Sequence, residues 1–279
     1  MKKILVPVDF SEHSEYALEV ACRMAKQNAA EIVVLHMLGI TTVVYNTGEA
    51  QEMAEANYYM KLAKQRFKKF LDKEYLKGIK LTEIIQNYKI FSEINQVAQE
   101  QQIDLIVMGS HGSSGLSALF VGSNTEKVVR TSRVPVLVIK KHLPDFKLER
   151  VVFASDFEME SIPAYRKAVS LLQSLGAKLH LLYVNLPNGK FKSSKEMELL
   201  TAEFLQEANK GDFKENPPVV YECAFSIERG IYHYSHKIKA DLIALTTHGH
   251  RGMTHFFKGS IGEDIANRAD VPVMTFLIY

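Results

Sequence analysis

The stretch VMGSHGSSGLSALFVGSNTEK, from Val107 to Lys127, carries four of the chain's 15 glycines and five serines directly after the apolar run DLIV. Its spacing is Gly109-x-x-Gly112, nine further residues, then Gly122-Ser123. Glycine permits positive φ and lets a ligand approach bare backbone. Glu126 follows Ser123 by three positions ahead of an apolar run, the pattern of a capping box. A helix is therefore expected to open at Ser123, with its free N–H groups aimed back at the end of the preceding strand. Such a helix start favours anions, phosphate above all. The chemistry on offer is the holding of a nucleotide's phosphates. The same glycines would also serve a plain strand-to-helix turn, and this loop alone leaves both readings open.

The pattern occurs twice. From Leu245 the chain reads LTTHGHRGMTHFFKGSIGEDI, with Gly249, Gly252, Gly259 and Ser260 at the places of Gly112, Gly115, Gly122 and Ser123. Glu263 repeats the capping glutamate. A carboxylate also recurs after the first apolar run of each copy, Asp9 in ILVPVDFS and Asp156 in VVFASDFE. It could accept hydrogen bonds from a ribose or a base amine, or simply cap the helix that follows. The copies part at two points: Thr246 stands for Gly109, and Ala154-Ser155 for Pro7-Val8.

These residues need elements to place them. Asp9-Phe10 aligns with Asp156-Phe157 at an offset of 147 residues, whereas DLIVMGSHG and DLIALTTHG, like VPVLVI and VPVMTF, align at 137. The second copy is thus a repeat with a net ten-residue deletion, and the join falls near KKHLPDFKLER. Domains of 1–142 and 147–279 are expected. Within each, apolar runs of strand length alternate with helical stripes such as Leu18, Ala21, Cys22 and Ala25, or Tyr165, Ala168, Val169 and Leu172. Strands are expected at 4–8, 31–37, 80–86, 104–108 and 136–139, and again at 150–154, 178–184, 219–225, 241–245 and 273–278. Helices are expected over 91–101 and 123–132, and on the faces Met60, Ala63, Phe67, Phe70 and Met197, Leu200, Phe204, Leu205. Ser193 or Ser194 would cap the latter, with Gly211 just past its end. Strands apolar nearly throughout, alternating with helices, describe a parallel sheet covered on both faces. In a doubly wound sheet of order 3-2-1-4-5, Asp9 and the glycine loop follow neighbouring strands at the point where the winding reverses, the place where such sheets bind ligands.

Composition sets limits. The chain has 279 residues, 47% of them hydrophobic and 24% charged, with a formal charge of +2. That balance gives no electrostatic case for nucleic acid. No stretch approaches the roughly 20 apolar residues of a membrane span. Two cysteines in different domains, Cys22 and Cys223, fit a reducing compartment, and a cytoplasmic protein is expected. There is no G-x-x-x-x-G-K-[S/T] and no G-x-S-x-G, so fast phosphoryl transfer and serine hydrolysis lack their usual parts.

Together ILVPVDFSEHSEYAL, IVVLHM and DLIVMGSHGSSGLSALFVGSNTEKVVRTSRVPVLVI resemble a universal stress protein domain over nearly all of 1–141, and more loosely over 148–279. The resemblance implies two flavodoxin-like (adenine nucleotide alpha hydrolase-like) α/β domains of strand order 3-2-1-4-5. It implies ATP as the ligand, with Mg²⁺ an optional companion. By the same resemblance Pro7, Val8 and Asp9 would line the adenine and ribose, Met37 would contact the base, and Met108 and Gly109 would pass beneath the ribose. Gly112, Gly122, Ser123, Asn124 and Thr125 would hold the phosphates. In the second copy Asp156, Val184, Gly249, Gly259 and Ser260 are the corresponding candidates, with a narrower approach at Thr246. The fifth strands would pair with each other, making the chain an internal pseudo-dimer, and a homodimer of whole chains stays open.

Other constellations carry less. His233 and His236 on a helix, with His248, His250 and His255 around the second loop, suggest imidazole ligation, but no cysteine or H-E-x-x-H completes a metal site. His111 and His248 either touch phosphate or close the turn. EANYYMKLAKQRFKKFLDKEYLKG is a basic amphipathic helix that could meet a membrane or partner, or lay its apolar side on the sheet. The leading expectation is an ATP-binding regulatory or protective protein acting with little or no turnover, through partners not identified by the sequence. The alternatives are a slow ATPase or nucleotidyl transferase, and a nucleotide-free scaffold or small-molecule sensor.

Overall fold

The computed structural model describes residues 1–38, 49–86, 92–110, 123–187, 191–210, 216–247 and 271–278, and the backbone alone for 49–56, 92 and 123. The first half runs β1 (Lys3–Pro7), α1 (Glu12–Asn28), β2 (Glu31–Met37), α2 (Glu49–Phe70), a 3₁₀ turn (Glu74–Leu76), β3 (Leu81–Gln86), α3 (Ser92–Glu100), β4 (Leu105–Gly109), α4 (Ser123–Thr131) and β5 (Val136–Ile139). The second runs β6 (Arg150–Ala154), a 3₁₀ turn (Met159–Ser161), α5 (Ile162–Ser174), β7 (Lys178–Asn185), α6 (Ser194–Ala208), β8 (Val219–Cys223), α7 (Ile227–Lys237), β9 (Leu242–Thr247) and β10 (Val273–Leu277).

The ten strands form one sheet in the order β3-β2-β1-β4-β5-β10-β9-β6-β7-β8. Each half is a parallel sheet of order 3-2-1-4-5, as expected. The fifth strands would be edges if each half stood alone. They pair antiparallel instead, Val138 with Val273 and Val136 with Thr275, so each covers the other's open backbone. Across this joint Lys167 of α5 donates through Nζ to the Arg133 carbonyl at 2.6 Å. In the connecting segment His142 stacks on Tyr16 and meets Glu19 at 2.8 Å.

The helical stripes read from sequence are the buried ones. Leu18, Ala21, Cys22 and Ala25 lie beneath α1, and Tyr165, Ala168, Val169 and Leu172 beneath α5, all within one core shared by both halves. Phe67 and Phe204 are fully buried in it. The basic helix α2 packs Phe67 and Phe70 into this core, buries Ala63 beside them in sequence, and leaves Lys61, Lys64, Lys68 and Lys69 exposed. On the opposite face α3 and α4 cover the first half, and α7 covers the second. Ser193 is the cap of α6, in a full capping box with Glu196; the helix stops at Ala208, capped by Asn209, and Gly211 lies outside the described residues. β9 runs two residues past its expected end and β8 stops two short.

Candidate functional site

The ends of β1 and β4 make a crevice. β1 and β4 pair at Ile4 with Leu105 and Leu5 with Ile106. Beyond that, β1 continues beside β2 as far as Pro7 with Leu35, and β4 beside β5 as far as Gly109 with Ile139. The ladder between the two central strands therefore stops at the reversal point. Pro7 helps to end the pairing, because it has no N–H to give. Pro7, Val8 and Asp9 lie on one lip, Met108 and Gly109 on the other.

The turn after β1 is built around Asp9. Its Oδ1 accepts from the Ser11 backbone N–H at 3.1 Å and from the Ser11 hydroxyl at 2.6 Å. Ser11 in turn caps α1 by accepting from Ser14 N–H at 3.3 Å. Of the two readings of Asp9, the structural one is thus present: it braces the cap of the next helix. Phe10, between them, adopts φ 64°, a left-handed conformation uncommon for a bulky residue. Ring contacts hold it there, at 4.3 Å to His36, 5.3 Å to Phe67 and 5.4 Å to Phe70. His36 Nδ1 lies 2.8 Å from the Val8 carbonyl, and burial pushes the imidazole's pKa down. The neutral tautomer that donates from Nδ1 fits both facts, and it ties the end of β2 to the lip of the crevice.

Gly109 has a neighbour the sequence does not show. A Cβ built there would lie 2.7 Å from the His13 carbonyl oxygen and 2.8 Å from its carbon, in the first turn of α1. The glycine lets α1 lie directly on the end of β4. Thr125, buried at 4% exposure, donates its hydroxyl to the Gly109 carbonyl at 2.8 Å. That bond fixes the first turn of α4 against the same strand end, while Asn124 beside it is exposed. α4 opens at Ser123, as the spacing predicts, and Glu126 pairs with Arg130 at 3.3 Å. Met37 closes β2 on the α3 side of the sheet.

The second half repeats the turn. Asp156 Oδ1 accepts from Glu158 N–H at 3.2 Å, and Phe157 has φ 58° and packs on Phe204 at 5.3 Å. The ladder differs. β6 and β9 stay paired through Phe153 with Ala244 and Ala154 with Leu245. Thr246 occupies the place of Gly109, and where α1 has its first turn the second half has the 3₁₀ turn Met159–Ser161, with α5 starting at Ile162. Val184 is pressed by α7: a Cβ on Gly230 would lie 2.6 Å from Val184 Cγ1.

Gly112, Gly115, Gly122, His111, Gly249, Gly252, Gly259, Ser260, His248, His250 and His255 lie outside the described residues. Among the described residues no group of three or more His, Cys, Asp or Glu comes together as a metal site, and no helix is long and apolar enough to cross a membrane. Cys22 is buried and Cys223 exposed, both as free thiols. The spacing did not single out His36, the left-handed Phe10 and Phe157, or the Thr125 tether. Aligning the repeats would have flagged Thr125, because the second copy has Gly262 there, and Ile261 for Asn124.

A family model described as the universal stress protein family matches residues 1–140 and again 147–276. A universal stress protein of Methanocaldococcus jannaschii is 32% identical over 154 residues, which cover 50% of this chain and 95% of that protein. One from Bacillus subtilis is 32% identical over 146 residues, covering 50% and 98%. Among solved structures, a universal stress protein from Archaeoglobus fulgidus DSM 4304 covers 99% of this chain and 96% of its own, with TM-score 0.65 and 24% identity, a likeness of fold.

Proposed function

Because the chain belongs to the universal stress protein family, as a tandem member matched by that family's model in both halves, we propose that it binds ATP in the first half and acts through the bound state rather than through turnover. One observation carries this reading: the reversal point of the first half, where the β1–β4 ladder stops at Leu5 and Ile106, lies between a carboxylate-braced turn and a helix start. Pro7, Val8 and Asp9 would hold base and ribose from one lip, with Met37 beneath the base. Met108 and Gly109 would support the ribose from the other. The loop glycines Gly112 and Gly122 would bring backbone N–H groups to the phosphates, joined by the N–H groups of Ser123, Asn124 and Thr125. Thr125's hydroxyl already serves the Gly109 carbonyl, so its side chain positions α4 rather than touching phosphate.

The units divide at 1–142 and 147–279 in this reading, and the free thiols suit a reducing cytoplasm. Bound ATP would supply an anionic group to the helix start, and the chain's own residues would bind and orient it. The donor set lacks a loop lysine of the kind that drives fast phosphoryl transfer, which supports slow or no hydrolysis. Calorimetric titration with ATP, followed by ADP release over hours, tests the proposal. Binding with negligible release is expected. No heat and no thermal shift at millimolar ATP would overturn it, and several turnovers per minute would favour the slow ATPase.

A further inference from the structure

Met37 is half-buried against the core on the α3 side of the sheet, to which Leu35, Ile94 and Val97 belong. In the second half Val184, one residue before the end of β7, takes the place of Met37, and Gly230 of α7 sits over it with no room for a Cβ. The repeat offset of 137 residues aligns Gly230 with Glu93, Ile231 with Ile94 and Tyr234 with Val97. The last two pairs are buried in both halves, at 0% and 1%, and at 5% and 2% exposure. α3 and α7 therefore turn the same face to the sheet, and the repeat register sets Glu93 and Met37 at the places of Gly230 and Val184. The first half carries a glutamate where the second sets glycine against valine with no room for a Cβ.

Glu93 lies in the first turn of α3, where the helix dipole favours a carboxylate. A solvated carboxylate would satisfy the dipole equally well. Instead Oε2 of Glu93 is buried and, among the described residues, has no hydrogen-bond partner. A carboxylate oxygen only accepts, and leaving one buried and unmatched is costly. It calls for a donor in the space beside Met37.

We propose that Glu93 accepts a hydrogen bond from the exocyclic amine of the base, so that the first half selects 6-amino purine nucleotides over those that lack the amine or carry a 6-oxo group. This rests on the nucleotide reading above. A 6-oxo group would set two acceptors face to face; an unsubstituted purine would leave Oε2 unmatched.

The test uses the whole chain and three ligands with the same triphosphate: ATP, purine riboside triphosphate and ITP. Hydrogen bonds to charged groups predict that ATP binds roughly tenfold tighter than the other two. Glu93→Ala should bring all three within about twofold, by weakening ATP and by relieving the repulsion that ITP meets. Glu93→Gln, whose amide can also donate, should recover part of the ITP affinity and decides the matter if the Ala variant melts early. A purely structural role would weaken the three ligands together. Equal binding of ATP and purine riboside triphosphate by the unaltered chain, or an unchanged ratio in both variants, overturns the role of Glu93 while leaving ATP binding intact. Failure of all three to bind the unaltered chain overturns both readings.

Discussion

In the first half the central strands stop pairing at Leu5 and Ile106; in the second the equivalent strands run on for two further pairs, to Ala154 and Leu245. The same turn precedes each helix, with an aspartate bracing it and a left-handed phenylalanine at its centre. The turn is a folding device common to both copies, since it persists where the strand ends differ. What differs is the set of residues at those ends: Pro7 against Ala154, Gly109 against Thr246, and an α1 that begins three residues earlier in the repeat than α5. One copy ends its central ladder short of Pro7 and lays a helix on glycine, while the other carries the ladder two pairs further.

Substitutions can break or sharpen that contrast. The largest effect should be the same in both halves. Phe67→Ala and Phe204→Ala each empty a fully buried aromatic site under a left-handed phenylalanine. Each is expected to cost about 3–5 kcal/mol by chemical denaturation. A difference beyond a factor of two would mean the cores are not equivalent. Next comes Gly109→Thr, which gives the first half the second half's residue. With His13 backbone at 2.7 Å, α1 must shift. A loss of about 1–3 kcal/mol and at least a tenfold drop in ATP affinity are expected, while Thr246→Gly should leave both nearly unchanged. Thr125→Ala removes the bond to the Gly109 carbonyl and should cost about 1 kcal/mol, weakening ATP through a looser α4.

The smallest effect concerns pH. Burial lowers the folded pKa of His36 below its ordinary 6.5, so the unfolded chain takes up the proton first. Stability is full above that value and is lost as pH falls through it. Tyr183 replaces His36 in the second half, though His180 there is shifted the same way. His36→Gln should therefore flatten, without abolishing, the decline in melting temperature between about pH 7 and 5. An unchanged slope would show that His36 is not among the groups responsible.

Much of this was legible in the residues. Offsets of 147 and 137 marked the duplication, alternating apolar runs gave the sheet, and the family resemblance implied the pairing of the fifth strands seen where Val138 meets Val273. The start of α4 at Ser123 followed from local spacing. What stayed hidden depends on residues distant in sequence. Gly109 reads as a ligand-facing glycine until His13 is seen to fill the space of its Cβ. Asp9 offers a carboxylate to a ribose or to a helix cap, and only the geometry shows Ser11 on its Oδ1. The early stop of the β1–β4 ladder leaves no trace in hydrophobic periodicity, because Val6 and Val107 are buried either way.

The asymmetry of the two crevices is tested most directly by the stoichiometry of ATP binding to the whole chain, measured by calorimetry on the unaltered protein and on Gly122→Val and Gly259→Val. The account predicts one nucleotide per chain, lost in Gly122→Val and retained in Gly259→Val. Two nucleotides per chain, or a single site lost in Gly259→Val and kept in Gly122→Val, would contradict it.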